Sequence, residues 1–134
     1  YEPGTLKAVN SKGKEEFVLK TAGEPAAIRL TADRSKIKAC KNDLSFVKIE
    51  LVDKDGNVVP DTSLPVKIEC SGKGTVIAGG NAGYDDMESF RSLTPNTFRG
   101  RAIAIVQPDE EKGDIRVKVS AKGLEDASIV ITTY

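Results

Sequence analysis

Alternation of period two is the feature of this sequence that most limits its fold. Val47, Ile49 and Leu51 share one face of a run whose other face carries Lys48 and Glu50. Val66, Ile68 and Cys70 likewise oppose Lys67 and Glu69, and Ile115, Val117, Val119 and Ala121 oppose Arg116, Lys118 and Ser120. Ala26, Ile28, Leu30 and Ala32 repeat the pattern against Ala27, Arg29 and Thr31. Successive side chains of an extended strand point to opposite faces, so this period predicts half-buried strands. No window carries a sustained helical stripe. Ala102–Val106 and Ile129–Ile131 are apolar on both faces, which predicts central strands covered from both sides. Val and Ile together outnumber Leu, as a pleated surface favours.

Turn chemistry separates these runs at Ser11-Lys12-Gly13-Lys14, Asp55-Gly56-Asn57, Ser71-Gly72-Lys73-Gly74, Glu111-Lys112-Gly113-Asp114 and Lys122-Gly123. Short strands at this spacing predict an all-β sandwich of about seven strands over residues 25–134. Residues 1–24 read as a separate leading hairpin and linker. Thr5–Val9 and Phe17–Thr21 flank the first turn, and Ala22-Gly23-Glu24-Pro25 follows. An isolated hairpin is marginal in water, so this one is expected to pack on the sandwich or to end a preceding β domain. The abrupt start at Tyr1-Glu2-Pro3-Gly4 reads as a cut from a longer polypeptide. Ala78–Phe98 breaks the regular punctuation as a long connection with Gly79, Gly80, Gly83 and Pro95, and a short helical turn is expected around Asp85–Phe90.

Length and charge then narrow the chemistry. The chain has 134 residues, enough for one domain and well short of the roughly 250 of a TIM barrel. It has no His, which removes the commonest general base and the commonest metal ligand. Twenty basic residues balance twenty acidic ones, so nucleic acid is not an expected partner. The longest apolar run, Ala102–Val106, is too short for membrane insertion. No cofactor, metal site or catalytic residue is expected.

The candidate site is the long connection. Asn81, Asp85, Asp86 and Glu88 cluster there around Tyr84, offering oxygen ligands that could accept hydrogen bonds or hold a hard cation. The alternative is a solvated loop with Phe90 and Met87 tucked beneath it as anchors. Asp53-Lys54-Asp55-Gly56-Asn57 has the look of a calcium loop, but its flanks are strands, and Val58 stands where such a loop needs Gly. It reads as a turn. Arg99 and Arg101 read as a solvated face beside acidic neighbours. Cys40 and Cys70 allow one bridge, but sequence does not fix the Cα separation a disulfide needs. Cys70 reads as a core-facing small hydrophobe and Cys40 as part of a polar turn.

Particular motifs carry a resemblance. Thr31-Ala32-Asp33-Arg34-Ser35, Val52-Asp53-Lys54-Asp55-Gly56-Asn57, Gly80-Asn81, Ser89-Phe90 and Phe98-Arg99-Gly100 follow one another in this order. Together they resemble the C-terminal immunoglobulin-like domain of glycoside hydrolase family 2 enzymes of the β-galactosidase type, over most of residues 21–121. Pro3–Val9 is similar to the closing strands of the β domain that precedes it in those enzymes. The resemblance implies an immunoglobulin-like β-sandwich with a leading hairpin, in a periplasmic or secreted bacterial enzyme. It implies retaining hydrolysis of β-galactosides by two Glu residues of a barrel domain that is not in this chain. No catalytic residue carries over. The expected role is a non-catalytic accessory domain whose partners are other domains of the same polypeptide.

Two further readings stay open. Thr-Ala-Asp-Arg-Ser and the Asp-Gly-Asn turn also recur in invasin-like repeats that space bacterial adhesins. An autonomous carbohydrate-binding module is the third, with Tyr84 as its one well-placed aromatic, since the chain has no Trp.

Overall fold

The computed structural model describes residues 2–13 and 16–134. Ten strands follow in chain order: β1 (Thr5–Val9), β2 (Glu16–Lys20), β3 (Ala27–Ala32), β4 (Lys36–Ile37), β5 (Ser45–Val52), β6 (Val66–Gly72), β7 (Gly74–Gly80), β8 (Arg101–Pro108), β9 (Gly113–Ala121) and β10 (Ala127–Thr133). Eight of them make two four-stranded sheets, ordered β4-β10-β9-β6 and β3-β5-β8-β7. β1 and β2 form a sheet of their own. Among the described residues there is no helix, including at Asp85–Phe90, where two turns stand instead. The all-β sandwich expected from the alternation is the observed fold, with β4 as the short extra strand.

The alternating positions meet between the sheets. Val47, Ile49 and Leu51 of β5 and Ala104 and Val106 of β8 face Val66 of β6 and Ile115, Val117 and Val119 of β9, all fully buried. Each buried Val, Ile or Leu side chain among these contributes roughly 1.5–3 kcal/mol relative to an exposed one, so these rows hold the two sheets together. β4 adds Ile37 to this core by pairing in parallel with the end of β10 (Lys36 with Thr132, Ile37 with Thr133). Cys70 packs against the core from half-buried ground, its Sγ donating to Gly74 O at 3.4 Å, and burial pushes its thiol pKa up. Cys40 is exposed, and both thiols are free.

Two expectations need correction. Ala102–Val106 is central in its sheet, between β5 and β7, but its outer face is not covered: Ile103 is exposed and Ile105 only half-buried. Val130 of β10 is likewise exposed, pointing from the outer face of its sheet. The apolar pattern on these strands reports side chains that no other described part of this chain covers. The long connection also starts later than expected, because Ala78–Gly80 continue β7 past an irregularity between Val76 and Ala78.

The hairpin stands apart. Leu6 pairs with Leu19 and Ala8 with Phe17, which puts four apolar side chains on one face. Leu6 is 68% exposed, Phe17 64% and Leu19 53%, so this face does not pack on the sandwich. Lys14 of the expected turn lies outside the described residues, as does Tyr1; Gly13 there has φ 64°. The linker is tied down nonetheless. Gly23 N–H donates to Asp53 Oδ2 at 2.9 Å, and Ala26 N–H to Val52 O at 2.8 Å. Between hairpin and sandwich lies an open cleft of about 750 Å³, walled by Leu6 and Leu19 on one side and by Val58, Pro60 and Arg101 on the other.

Candidate functional site

The connection from β7 to β8 is a built structure. Asn81, just past β7, organises its first half: its side-chain oxygen accepts from Gly83 N–H at 2.6 Å. Its amide nitrogen donates to Asp86 Oδ2 and, at 2.8 Å, to Asn96 O. Asp86 Oδ1 accepts in turn from Glu88 N–H at 2.9 Å, and Glu88 Oε1 accepts from Asn96 Nδ2 at 3.1 Å. Such short-range amide and carboxylate bonds to backbone fix an otherwise irregular chain. They bring Asn81, Asp86 and Glu88 together at the loop's base and leave Tyr84 and Asp85 on its tip.

The lid-and-anchor expectation fails here. Met87 is 96% exposed, Tyr84 92% and Phe90 68%. At Gly79 the strand packs so closely that an added Cβ would lie 3.0 Å from Ser92 O and 3.2 Å from Ile68 Cδ1. Phe90 instead lies against the outside of β7. A Cβ at Gly80 would stand 2.6 Å from its ring, so that contact requires glycine. The space enclosed under the loop is about 20 Å³, room for one water, so what the loop can offer a ligand or partner is its outer surface.

The second half of the connection runs along the free edge of β6. Ile68 N–H donates to Leu93 O at 2.7 Å, and Val66 N–H to Pro95 O at 3.0 Å. Thr97 N–H then reaches Leu64 O at 2.8 Å, and Thr97 Oγ1 accepts from Leu64 N–H at 3.0 Å. Backbone groups that would make β6 a pairing template are thereby occupied. A two-residue turn follows, with Arg99 at φ 51° and Gly100 at φ 72° between the bridged pair Phe98 and Arg101. Both positive angles suit a hairpin turn, and a Cβ at Gly100 would come within 2.2 Å of Val59 O. Arg99 stacks over the Phe98 ring, 5.5 Å from its centroid.

Two other acidic groups do structural work that the sequence alone does not reveal. Asp53 accepts from the backbone N–H groups of Gly23, Asp55 and Asn57 and from the Asn57 amide. The Gly23 bond leads the causes that hold its pKa at about 2. With its oxygens filled by these donors, the Asp53-to-Asn57 stretch is the expected turn, with Gly56 at φ 84°. Asp33, within the Thr-Ala-Asp-Arg-Ser motif, accepts from Phe46 N–H at 2.8 Å and from Ser45 Oγ at 3.2 Å, so this motif pins the start of β5.

Glu50 is the least expected of the charged groups. It is 3% exposed, yet it belongs to the outer face of its sheet. Arg29 Nη2 lies 2.9 Å from Oε2, while Lys48 Nζ and Arg101 Nε each lie 3.3 Å from Oε1. Burial pushes its pKa up, but the bonds from Arg29 and Lys48 outweigh burial and hold it below the ordinary glutamate value. Arg101 is thus half of what the sequence reading expected, a basic residue beside an acidic neighbour; Arg99 is not, since it stacks on an aromatic ring.

Comparison with known proteins accounts for this architecture. Residues 28–130 match the profile of the glycoside hydrolase family 2 C-terminal domain 5. Beta-galactosidase BoGH2A of Bacteroides ovatus is 34% identical over 98% of this chain, which spans 16% of that protein. A glycosyl hydrolase family 2 member from Bacteroides cellulosilyticus superposes on all of this chain with a TM-score of 0.93 and 37% identity, across 18% of its own length. A C-terminal fragment of intimin, solved with the intimin-binding domain of its translocated receptor, has a TM-score of 0.54 at 14% identity over 81% of this chain and 33% of its own, a likeness of fold alone. The chain spans less than a fifth of the two glycosidase-family relatives. With a family profile covering most of its length, this chain belongs to the glycoside hydrolase family 2 C-terminal domain 5 family.

Proposed function

We propose that this chain is a non-catalytic accessory domain of a larger bacterial β-galactosidase-like glycoside hydrolase, periplasmic or secreted, and that it packs against the catalytic barrel or neighbouring β domains. The observation that carries this reading is the family match over residues 28–130, joined to relatives of which the chain spans less than a fifth. In this reading residues 1–24 end a preceding β domain. The uncovered Leu6, Phe17 and Leu19 face supports that, because a two-stranded sheet with one apolar face is stable only when something covers it. The loop bearing Asn81, Tyr84, Asp85, Asp86 and Glu88 is the part lent to an interface or to the rim of a substrate site. A loop fixed by its own hydrogen bonds loses little entropy on being docked, which supports the assignment.

The test compares the parent polypeptide with this chain alone on a chromogenic β-galactoside. Turnover by the parent and none by the chain is the expected result. Hydrolysis by the chain alone would overturn the non-catalytic assignment. The exposure of Tyr84 on a fixed loop favours a second role in contacting carbohydrate. Binding at millimolar glycan that Tyr84→Ala abolishes would establish it, and a flat titration would remove it.

A further inference from the structure

The two sheets present very different outer faces. On β6, β9 and β10 the register lays out Lys67 beside Ser120, then Glu69, Lys118 and Ser128, then Ser71, Arg116 and Val130. Lys67 pairs with Glu69 and Lys118 with Asp126 at 2.9 and 2.7 Å, and Val130 is the one apolar side chain in these rows. This is a face made for water.

The outer face of β3-β5-β8-β7 is not. Its first row is Arg29, Glu50 and Arg101; the second is Thr31, Lys48, Ile103 and Gly80; the third is Phe46, Ile105 and Ala78. Phe90 covers Gly80 and so extends the apolar area beside Ile103. Phe46 and Ile103 are exposed. Contiguous apolar area of this kind on a sheet face marks an interaction surface. The first two rows add charge: three cations surround one carboxylate, leaving two positive charges uncompensated. Arg29, Lys48 and Arg101 keep roughly half their side-chain surface in solvent.

We propose that this outer face is the docking face of the domain, and that its occupant is another domain of the same polypeptide that places apolar side chains over Phe46 and Ile103 and carboxylates against Arg29, Lys48 and Arg101. The choice of a carboxylate-bearing partner follows from the uncompensated positive charge. The choice of the same polypeptide rests on the reading of this chain as part of a larger glycosidase. The face opposite, β4-β10-β9-β6, stays in water.

Cysteine labelling of the full-length polypeptide tests this. In a Cys40→Ser background, Thr31→Cys probes the docking face and Ser128→Cys the opposite one. Each maleimide rate is divided by that of the same variant in urea, after subtracting the background protein. We expect the docking-face site to react about tenfold more slowly than Ser128→Cys, since thiol reactivity follows access. Adding Arg101→Glu to Thr31→Cys should speed labelling about threefold, by turning attraction into repulsion. Equal protection of both faces would overturn the docking face, an Arg101→Glu variant without effect would overturn the acidic partner, and protection that vanishes on dilution would replace the intramolecular occupant with a second copy. Galactosidase activity measured on the same preparations separates the two ideas. An active parent with an unprotected face would sink the docking face alone. A protected face on an inactive parent would sink the glycosidase reading alone.

Discussion

Two hairpins in this molecule obey the same alternation and end in opposite environments. In β9–β10 the inward row Ile115, Val117 and Val119 is fully buried against the facing sheet. In β1–β2 the row Leu6, Phe17 and Leu19 is just as apolar and lies open. Period-two alternation specifies that a segment is a strand with one face to hide. It does not specify what hides that face, and in the hairpin nothing among the described residues does. The contrast separates stability supplied within the chain from stability that depends on what lies beside it.

The sharpest way to break the contrast is to delete packing where the chain supplies its own. Ile68→Ala should cost about 2–5 kcal/mol in urea denaturation, because Ile68 fills the space beneath Gly79 and the facing sheet cannot collapse fully into the hole. A cost below about 1 kcal/mol would mean the inter-sheet core is not what holds the fold. Glu50→Gln should cost less, about 1–3 kcal/mol, since the three cations it leaves regain water in part. Because the folded pKa of Glu50 lies below the ordinary 4.5, its contribution is full above pH 4.5 and fades as pH falls through the folded value. The wild type should therefore lose more stability on acidification than Glu50→Gln does.

Asp53 joins the two regions, and its effect should be smaller again. Its pKa drops from 3.8 to about 2 on folding, so its stabilisation is present above pH 3.8 and is lost toward pH 2. Asp53→Asn should flatten the acid-unfolding curve in that window and speed proteolysis at Ala22–Glu24; an unchanged curve would remove Asp53 as the clasp. The double substitution Leu6→Ser with Phe17→Ser should change the stability of this chain by no more than about 0.5 kcal/mol, the ordinary value for exposed sites. In the parent polypeptide the same pair should cost several times more. Equal effects in both would mean that the hairpin is bare in the parent as well.

What could be read from sequence follows the distinction between local and distant causes. β5, β6 and β9 were legible because each carries its own alternation and ends in its own turn residues. β4 was not, because Ile37 between Lys36 and Lys38 has no period and becomes a strand only when the end of β10 arrives beside it. In the candidate loop, the closeness of Asn81 and Asp86 is a five-residue matter and could be read directly. Glu50 could not, since its partners Arg29 and Arg101 lie 21 and 51 positions away and only sheet register brings them together. The place of Phe90 escaped for the same reason, since its ring lies over Gly80 of β7, ten positions before it in the chain.

The segment from Leu93 to Thr97, held by two backbone bonds to β6 and a third to Leu64 just before it, has a consequence for how such chains can change length. Adding or deleting a residue within it would shift every later bond to β6 out of step and dislodge the Arg99-Gly100 turn that feeds β8. The Tyr84–Asp85 tip has no such tether to a strand, so residues can be gained, lost or exchanged there without disturbing a sheet. The connection therefore combines a stem of fixed length with a freely editable tip. That makes the tip the place where related chains can vary in length and sequence while keeping the sandwich intact.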